Sequence, residues 1–300
     1  MATLQVIDVA WKPLEDERYE SGLRIWKDGK EDLDFLALTP GKHLNWYFRG
    51  PKRCVGNIDS TGKLIRCPEE AVILRQGIRC GPCSAVDFYD PCIRCDGRTC
   101  TATEARKIQC DNSEYVVYVV AFNDSTLKVG VSSKGRVRLR WVEQGADFGG
   151  IIDTIIGGRK ARRREDRIGK HPNISKVVRG ERKIKSLQDS LDIDTAQSIV
   201  DDFIIGIENI ELGTKVELED LAKYYSLPVL DTKPTPWRKR SDPIDQRPLV
   251  GDVVGMKGSL LVTSIGSSYT VTDLKQVIGY NLDSDEDITM VTQSGLMDFF

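Results

Sequence analysis

The sequence predicts an α+β protein that joins a zinc-ribbon-like cysteine module to a hairpin-and-helices domain and a small C-terminal β domain. Three observations carry this expectation. All eight cysteines lie between Cys54 and Cys110. Directly after them a β-branched and aromatic strand, a polar turn and a second strand lead into arginine-rich stretches of helical character. From Leu249 to Tyr280, β-branched runs alternate with glycine turns, the pattern of a small barrel or sheet.

Composition sets the outer limits. The chain has 300 residues, 40% hydrophobic and 29% charged, which suits two domains or three small ones with a buried core. No apolar run approaches the roughly 18 residues of a membrane span. Met1 to Ala10 lacks the basic start and long apolar stretch of a signal peptide, so a cytoplasmic protein with reduced thiols is expected. The net charge of −2 conceals segregation. Lys128 to Lys185 holds 17 lysines and arginines against 6 acids, whereas Asp189 to Asp220 holds 10 acids and one lysine. A basic block in a near-neutral chain suggests a surface for a polyanion such as DNA, the bland alternative being a solvated face.

In chain order, Leu4 to Ala10 and Leu33 to Leu38 read as strands of an N-terminal β segment, residues 1–50. Residues 51–112 form the cysteine module. Cys80-x-x-Cys83 and Cys92-x-x-Cys95 are knuckles whose short spacing lets two thiolates converge on one ion from a tight turn, and Gly81-Pro82 and Gly97 supply the turn chemistry. The simplest partition gives Cys54, Cys67, Cys80 and Cys83 one structural Zn²⁺ and Cys92, Cys95, Cys100 and Cys110 a second. Interleaved ligation, an iron–sulfur cluster in the second quartet, and disulfides are the alternatives.

Residues 113–186 contain the hairpin, Glu114 to Phe122 and Leu127 to Ser132, then a stretch from Arg136 to Gln144 and a helical stretch from Gly150 to Lys170. The basic side chains Arg136, Arg138, Arg159, Lys160, Arg162, Arg163, Arg164 and Arg167 are the expected DNA contacts. Residues 187–280 begin with an acidic helix over Leu191 to Ile207, followed by a helix started by the capping box Thr214-x-x-Glu217 and ending near Tyr225. A proline-marked connection carrying Trp237 and Arg238 leads to the C-terminal strands; there a ring beside cations could stack on a base or simply pack. His43 and His171 are too few for histidine-based nuclease chemistry, and the chain shows no internal repeat, phosphate-cradling glycine loop or serine or cysteine triad.

The hairpin and the helices after it resemble the GIY-YIG nuclease domain. Val116-Val117-Tyr118 corresponds to the first motif and Lys128-Val129-Gly130 to the second, with Val116 in place of a glycine and Lys128 in place of a tyrosine. The resemblance implies Tyr118, Lys128, Arg140 and Glu165 as catalytic residues, with Arg138 as the alternative arginine and Mg²⁺ or Mn²⁺ as the catalytic ion. A core aromatic is the plain reading of Tyr118, and an ion pair with Arg162 that of Glu165. A wider stretch, about residues 50 to 280, resembles an archaeal and bacterial family of unknown function. The cysteines, Arg140 to Asp147 and Gly255 to Leu261 carry that likeness.

The last residues carry a different signal. Gln293, Leu296, Phe299 and Phe300 fit the peptide Gln-x-x-aliphatic-x-x-aromatic-aromatic, and so resemble the segment that docks repair and replication proteins on the sliding clamp (PCNA). The charged run Asp283 to Asp287 reads as a tether within a flexible tail, residues 281–300. The sequence therefore points to a clamp-recruited, metal-dependent, structure-specific DNA endonuclease of repair or replication, acting on branched or damaged DNA. A non-catalytic DNA-binding adaptor is the second reading. An RNA-binding translation-related protein is a third, which leaves the tail unexplained.

Replacing Phe299 and Phe300 by alanine is expected to cost the clamp interaction about 3 kcal/mol, enough to carry a micromolar contact beyond detection in a pull-down. The melting temperature should hold. A double variant that still binds the clamp, or one that unfolds, contradicts the assignment.

Overall fold

The computed structural model describes residues 4–15, 18–30, 32–74, 77–175, 177–207, 215–239 and 241–284. The chain opens with four strands, β1 (Leu4–Pro13), β2 (Tyr19–Lys27), β3 (Asp34–Ala37) and β4 (His43–Arg49). The cysteine segment follows with a small hairpin, β5 (Asn57–Ile58) and β6 (Leu64–Ile65), and the helices α1 (Gly81–Val86), α2 (Asp90–Ile93) and α3 (Glu104–Asn112). Next come β7 (Glu114–Ala121), β8 (Leu127–Ser133), α4 (Val137–Gln144), β9 (Phe148–Ile156), α5 (Gly158–Ile168), α6 (Gly180–Lys185), α7 (Ile193–Ile205) and β10 (Glu219–Asp220). The last strands are β11 (Thr235–Pro236), β12 (Arg247–Lys257), β13 (Leu260–Ile265), β14 (Ser268–Asp273) and β15 (Asn281–Ser284). Among the described residues no helix is long and apolar enough to cross a membrane.

The chain is mixed α+β, as expected. Its larger sheet runs β11-β14-β13-β12-β4-β15-β1-β2-β3, so the N-terminal segment and the C-terminal strands, expected as separate units, share one sheet. The smaller sheet runs β10-β9-β7-β8. Strand β7 is buried on both faces, which explains its continuous apolar run. Val116, Tyr118 and Val120 face the core of the larger sheet, while Val117, Val119 and Ala121 face a second core with Ala161 and Ile168 of α5 and Ala196, Val200 and Phe203 of α7.

Several side-chain contacts gather where the turn after β12 meets the start of β9. Lys257 at the end of β12 pairs with the buried Asp147, whose other carboxylate oxygen accepts from the Asn123 amide at 2.8 Å. The Trp11 indole donates to the Gly258 carbonyl at 2.8 Å and the Tyr225 hydroxyl to the Ala146 carbonyl at 2.7 Å. At Gly258, with φ +60, a Cβ would lie 2.7 Å from the Gly145 nitrogen, so only glycine permits this approach.

Three expectations need correction. The helix expected over Gly150 to Lys170 is a strand to Ile156 and a helix only from Gly158. β-Branched Ile151, Ile152, Thr154, Ile155 and Ile156 favour the strand, and the Trp141 ring lies where a Cβ on Gly149 would stand, at 2.5 Å. No α-helix follows Thr214, which itself lies outside the described residues. Gln197 of α7 holds the extended backbone through the Val216 carbonyl, at 2.8 Å, and the Leu218 amide, at 3.1 Å, and Glu219 then pairs with Gly149 of β9. Finally, Asp283 and Ser284 of the expected tether belong to β15, where Asp283 pairs with Arg49 at 2.8 Å. The clamp-binding motif, Gln293 to Phe300, lies outside the described residues.

Tyr118 stands opposite Gly130 across the β7–β8 ladder, and a Cβ at Gly130 would lie 2.4 Å from the Tyr118 phenol oxygen. Gly130→Ala should therefore cost about 1–3 kcal/mol by overpacking and displace the tyrosine ring. Thermal denaturation checks this, and an unchanged melting temperature would contradict it.

Candidate functional site

Two groups of side chains stand out, a thiol cluster and a polar pocket. The Sγ atoms of Cys54, Cys67, Cys80 and Cys83 all lie within 4.8 Å of one another. Cys54 follows the end of β4, Cys67 follows β6, and Cys80 and Cys83 flank the Gly81-Pro82 start of α1. The amides of Gly56 and Cys80 donate to Cys54 Sγ at 3.4 and 3.2 Å, as they would to a thiolate. Gly56 (φ +89) is fixed by the hairpin beneath, since a Cβ there would sit 1.9 Å from the Ile65 carbonyl oxygen. Burial and the surrounding thiols push the Cys83 thiol far up, since together they disfavour its charged form. A divalent ion with a tetrahedral preference for sulfur supplies a balancing charge, so these four cysteines could hold a metal ion such as zinc.

The second quartet is arranged differently. Among the described residues, Cys92, Cys95, Cys100 and Cys110 do not close to the same mutual distance. Instead Cys92 lies beside the guanidinium of Arg106, which is only 8% exposed and sits 5.0 Å from the Tyr89 ring centroid. Burial pushes the Cys92 thiol up, and the Arg106 charge opposes it. The Gly97 amide donates to Cys95 Sγ at 3.3 Å, and a Cβ at Gly97 would meet the Arg159 carbonyl oxygen at 2.5 Å. This segment is thus docked on α5.

The polar pocket is centred on Gln144, the last residue of α4. Its Nε2 donates to the Tyr118 hydroxyl at 2.7 Å and its Oε1 accepts from Lys128 Nζ at 2.7 Å. Its backbone carbonyl accepts from Lys183 Nζ of α6. The Tyr118 ring is 2% exposed and meets Trp141 edge-on at 6.1 Å, so it is a core aromatic whose hydroxyl is held by Gln144. Burial pushes this phenol's pKa up, against the Arg140 charge and the Gln144 hydrogen bond, with Glu165 acting in the same direction as burial. Burial, helped by Arg140 and opposed by Glu165, lowers Lys128 to about 8. Burial lowers Lys183 to about 7, helped by Lys275 and Lys128. The charges of Arg140 and Glu165 thus act on both Tyr118 and Lys128, although α5 and the hairpin are separate in sequence.

Gln144, Lys183 and Lys275 were not singled out from sequence. Gln144 had a legible signal, a polar residue three positions after Trp141 on the buried face of α4. The lysines had none, because only tertiary folding brings α6 and the turn after β14 here.

Most of the arginines expected to contact DNA are tied to neighbours. Arg136 pairs with Glu143 at 3.0 Å, as does the expected catalytic Arg140 at 3.3 Å, Arg138 with Glu219 at 3.0 Å, Arg162 with Glu165 at 2.8 Å and Arg164 with Asp153 at 3.2 Å. Arg159 donates to the Arg98 carbonyl at 3.0 Å. Lys160, Arg163 and Arg167 are exposed. Trp237 packs: its ring meets Phe48 at 5.7 Å, and its indole donates to the Pro248 carbonyl at 2.6 Å. His43 bonds Asp252 at 2.8 Å, and His171 meets the Phe203 ring.

A cysteine module and a small antiparallel sheet with a polar pocket, joined to a nine-stranded sheet, define the class. A family model described as a protein of unknown function (DUF2797) matches residues 41–282, and the chain belongs to that family. No curated protein matches the chain, and no solved structure does.

Purified protein should carry zinc bound by the first quartet. Cys83→Ser should lose about one equivalent by elemental analysis and destabilise the module, because metal binding there contributes folding energy. Retention of all bound metal by the variant would contradict the ligand set.

Proposed function

We propose that this protein is a metal-dependent, structure-specific DNA endonuclease of the GIY-YIG type, recruited to DNA by the sliding clamp through residues 293–300. What supports the reading is that Tyr118 and Lys128 of the hairpin bond to the side chain of Gln144 on α4, one turn after Arg140, and that the charges of Arg140 and of Glu165 on α5 act on both. The order hairpin, arginine helix, glutamate helix agrees with the order the resemblance implies.

Each group has a chemical task. The Arg140 guanidinium can fork onto non-bridging phosphate oxygens once phosphate competes with Glu143. Tyr118 accepts from Gln144, which leaves its own hydrogen to orient a water or phosphate oxygen. Lys128 presents an amine with a pKa near 8, able to stabilise charge on phosphate when protonated. The half-buried Glu165 is the carboxylate suited to Mg²⁺ or Mn²⁺, hard ions that use one or two carboxylates beside waters and substrate phosphates. Such an ion, when bound, stabilises the leaving oxygen. The first cysteine quartet serves as a structural zinc site. In the second, the Arg106 cation beside Cys92 fits a thiolate site carrying net negative charge, consistent with a second structural zinc.

A non-catalytic adaptor is the alternative, favoured by Lys128 standing in the second motif and by the ion pairs that already hold Arg140 and Glu165. Glu165→Gln separates the two. On branched DNA with Mn²⁺ it should abolish cutting while leaving affinity nearly unchanged, and Arg140→Ala should cost roughly 10²–10³ in rate. Cutting by Glu165→Gln at the parent rate would remove the site assignment.

A further inference from the structure

The two oxygens of Gln144 gather two amines: Oε1 accepts from Lys128 Nζ at 2.7 Å and the backbone carbonyl accepts from Lys183 Nζ. The turn carrying Lys275 lies against the start of α6, since a Cβ at Gly180 would stand 2.7 Å from Asp273 Oδ2, and the Lys275 charge acts on both amines. The cluster therefore has a second lobe beyond Arg140 and Glu165, joined to them at Lys128 and Gln144. The second lobe is built by elements outside the hairpin and its following helices: Lys183 from α6, and Lys275 from the turn after β14, where Asp273 caps the Lys275 amide at 3.2 Å.

This lobe is short of negative charge. Lys128 and Lys183 spend hydrogen bonds on the Gln144 side-chain and backbone oxygens, which are neutral acceptors. Neither they nor Lys275 forms an ion pair with a described carboxylate, whereas most arginines of the neighbouring helices do. Lys257 is already neutralised by Asp147. Lys128, offset by the charge of Glu165, and Lys183, offset by that of Asp273, pair directly with neither carboxylate, and with Lys275 they form a place where a polyanion relieves repulsion.

We infer that Lys183 and Lys275, with Lys128, bind a second backbone phosphate of the same nucleic-acid strand, beside the phosphate held by Arg140. This rests on the proposed function for the strand's identity, but not on cleavage. A strand whose successive phosphates lie in the two lobes would be held at two points, which fixes its direction across the pocket as one contact cannot.

Equilibrium binding in EDTA tests this without any cutting. Fluorescence anisotropy with a labelled branched oligonucleotide, repeated over a series of salt concentrations, gives the slope of log K against log[salt]. Lys275→Met and Lys183→Met should each reduce that slope, and their double variant should reduce it by roughly 0.7–0.9 in total, the release expected for one lost phosphate contact. Lys63→Met, on the β5–β6 hairpin, should leave it unchanged. Because the Lys183 amine also serves the Gln144 carbonyl, the exposed Lys275 decides the matter if Lys183→Met does not fold. An unchanged slope for Lys275→Met, or no measurable binding by the parent, overturns the inference. Reduced slopes in a protein that never cuts uphold it and remove the nuclease reading. Cutting with unchanged slopes does the reverse.

Discussion

The buried side chain of Gln144 is the contact on which the pocket depends. Its amide has one sensible orientation, because Oε1 must face the Lys128 amine and Nε2 the Tyr118 oxygen; the reverse would set two donors against each other. At the end of α4, Gly145 (φ +67) turns the chain, its amide satisfying the Trp141 and Val142 carbonyls and leaving the Gln144 carbonyl without a helical partner. Lys183 fills that vacancy, placing a cation at the negative end of the helix. One residue thus ties β7, β8, α4 and α6 through three hydrogen bonds, and it fixes where both the phenol and two amines point. At 6% exposure these bonds compete little with water, so their loss would leave a buried amide unsatisfied.

The two sheets give this contact its setting. β7 cannot move without disturbing both cores, and the Asp147–Lys257 pair holds the head of β9 to the end of β12. Burial pushes the Asp147 carboxyl up and the Lys257 charge opposes it, so the pair is a compensated charge at the seam rather than a free one. The seam also brings the turn carrying Lys275 against a pocket otherwise made by the hairpin and its helices. A site assembled at such a junction takes its charge from segments nearly 150 residues apart, from Lys128 to Lys275.

What the sequence made legible follows from the range of the forces involved. The β7–β8 hairpin and α7 are local: β-branched alternation, a polar turn, and Asp192 capping the Thr195 amide at 2.8 Å suffice to specify them. The first cysteine quartet was legible because C-x-x-C chemistry is local, and its two further ligands are supplied by a hairpin of short reach. Gly150 to Ile156 misled because it contacts α4 and β7, so that helix spacing in the arginine-rich part seemed to extend backwards. Residues 215–225 misled because Gln197 and β9, both remote in sequence, outbid a local capping signal. Tyr118, Lys128, Arg140 and Glu165 are expected through resemblance alone, while Lys183 and Lys275 come near them only through the tertiary fold.

The central claim is that this pocket performs phosphodiester hydrolysis. The most direct measurement is incubation of the unmodified protein with Mg²⁺ or Mn²⁺ on a panel of flaps, forks, bubbles and four-way junctions, with products resolved by length. The account predicts cutting of at least one branched substrate at a defined position, stopped by EDTA and absent from linear duplex. Tight binding of the whole panel with every strand intact under both metals would contradict it.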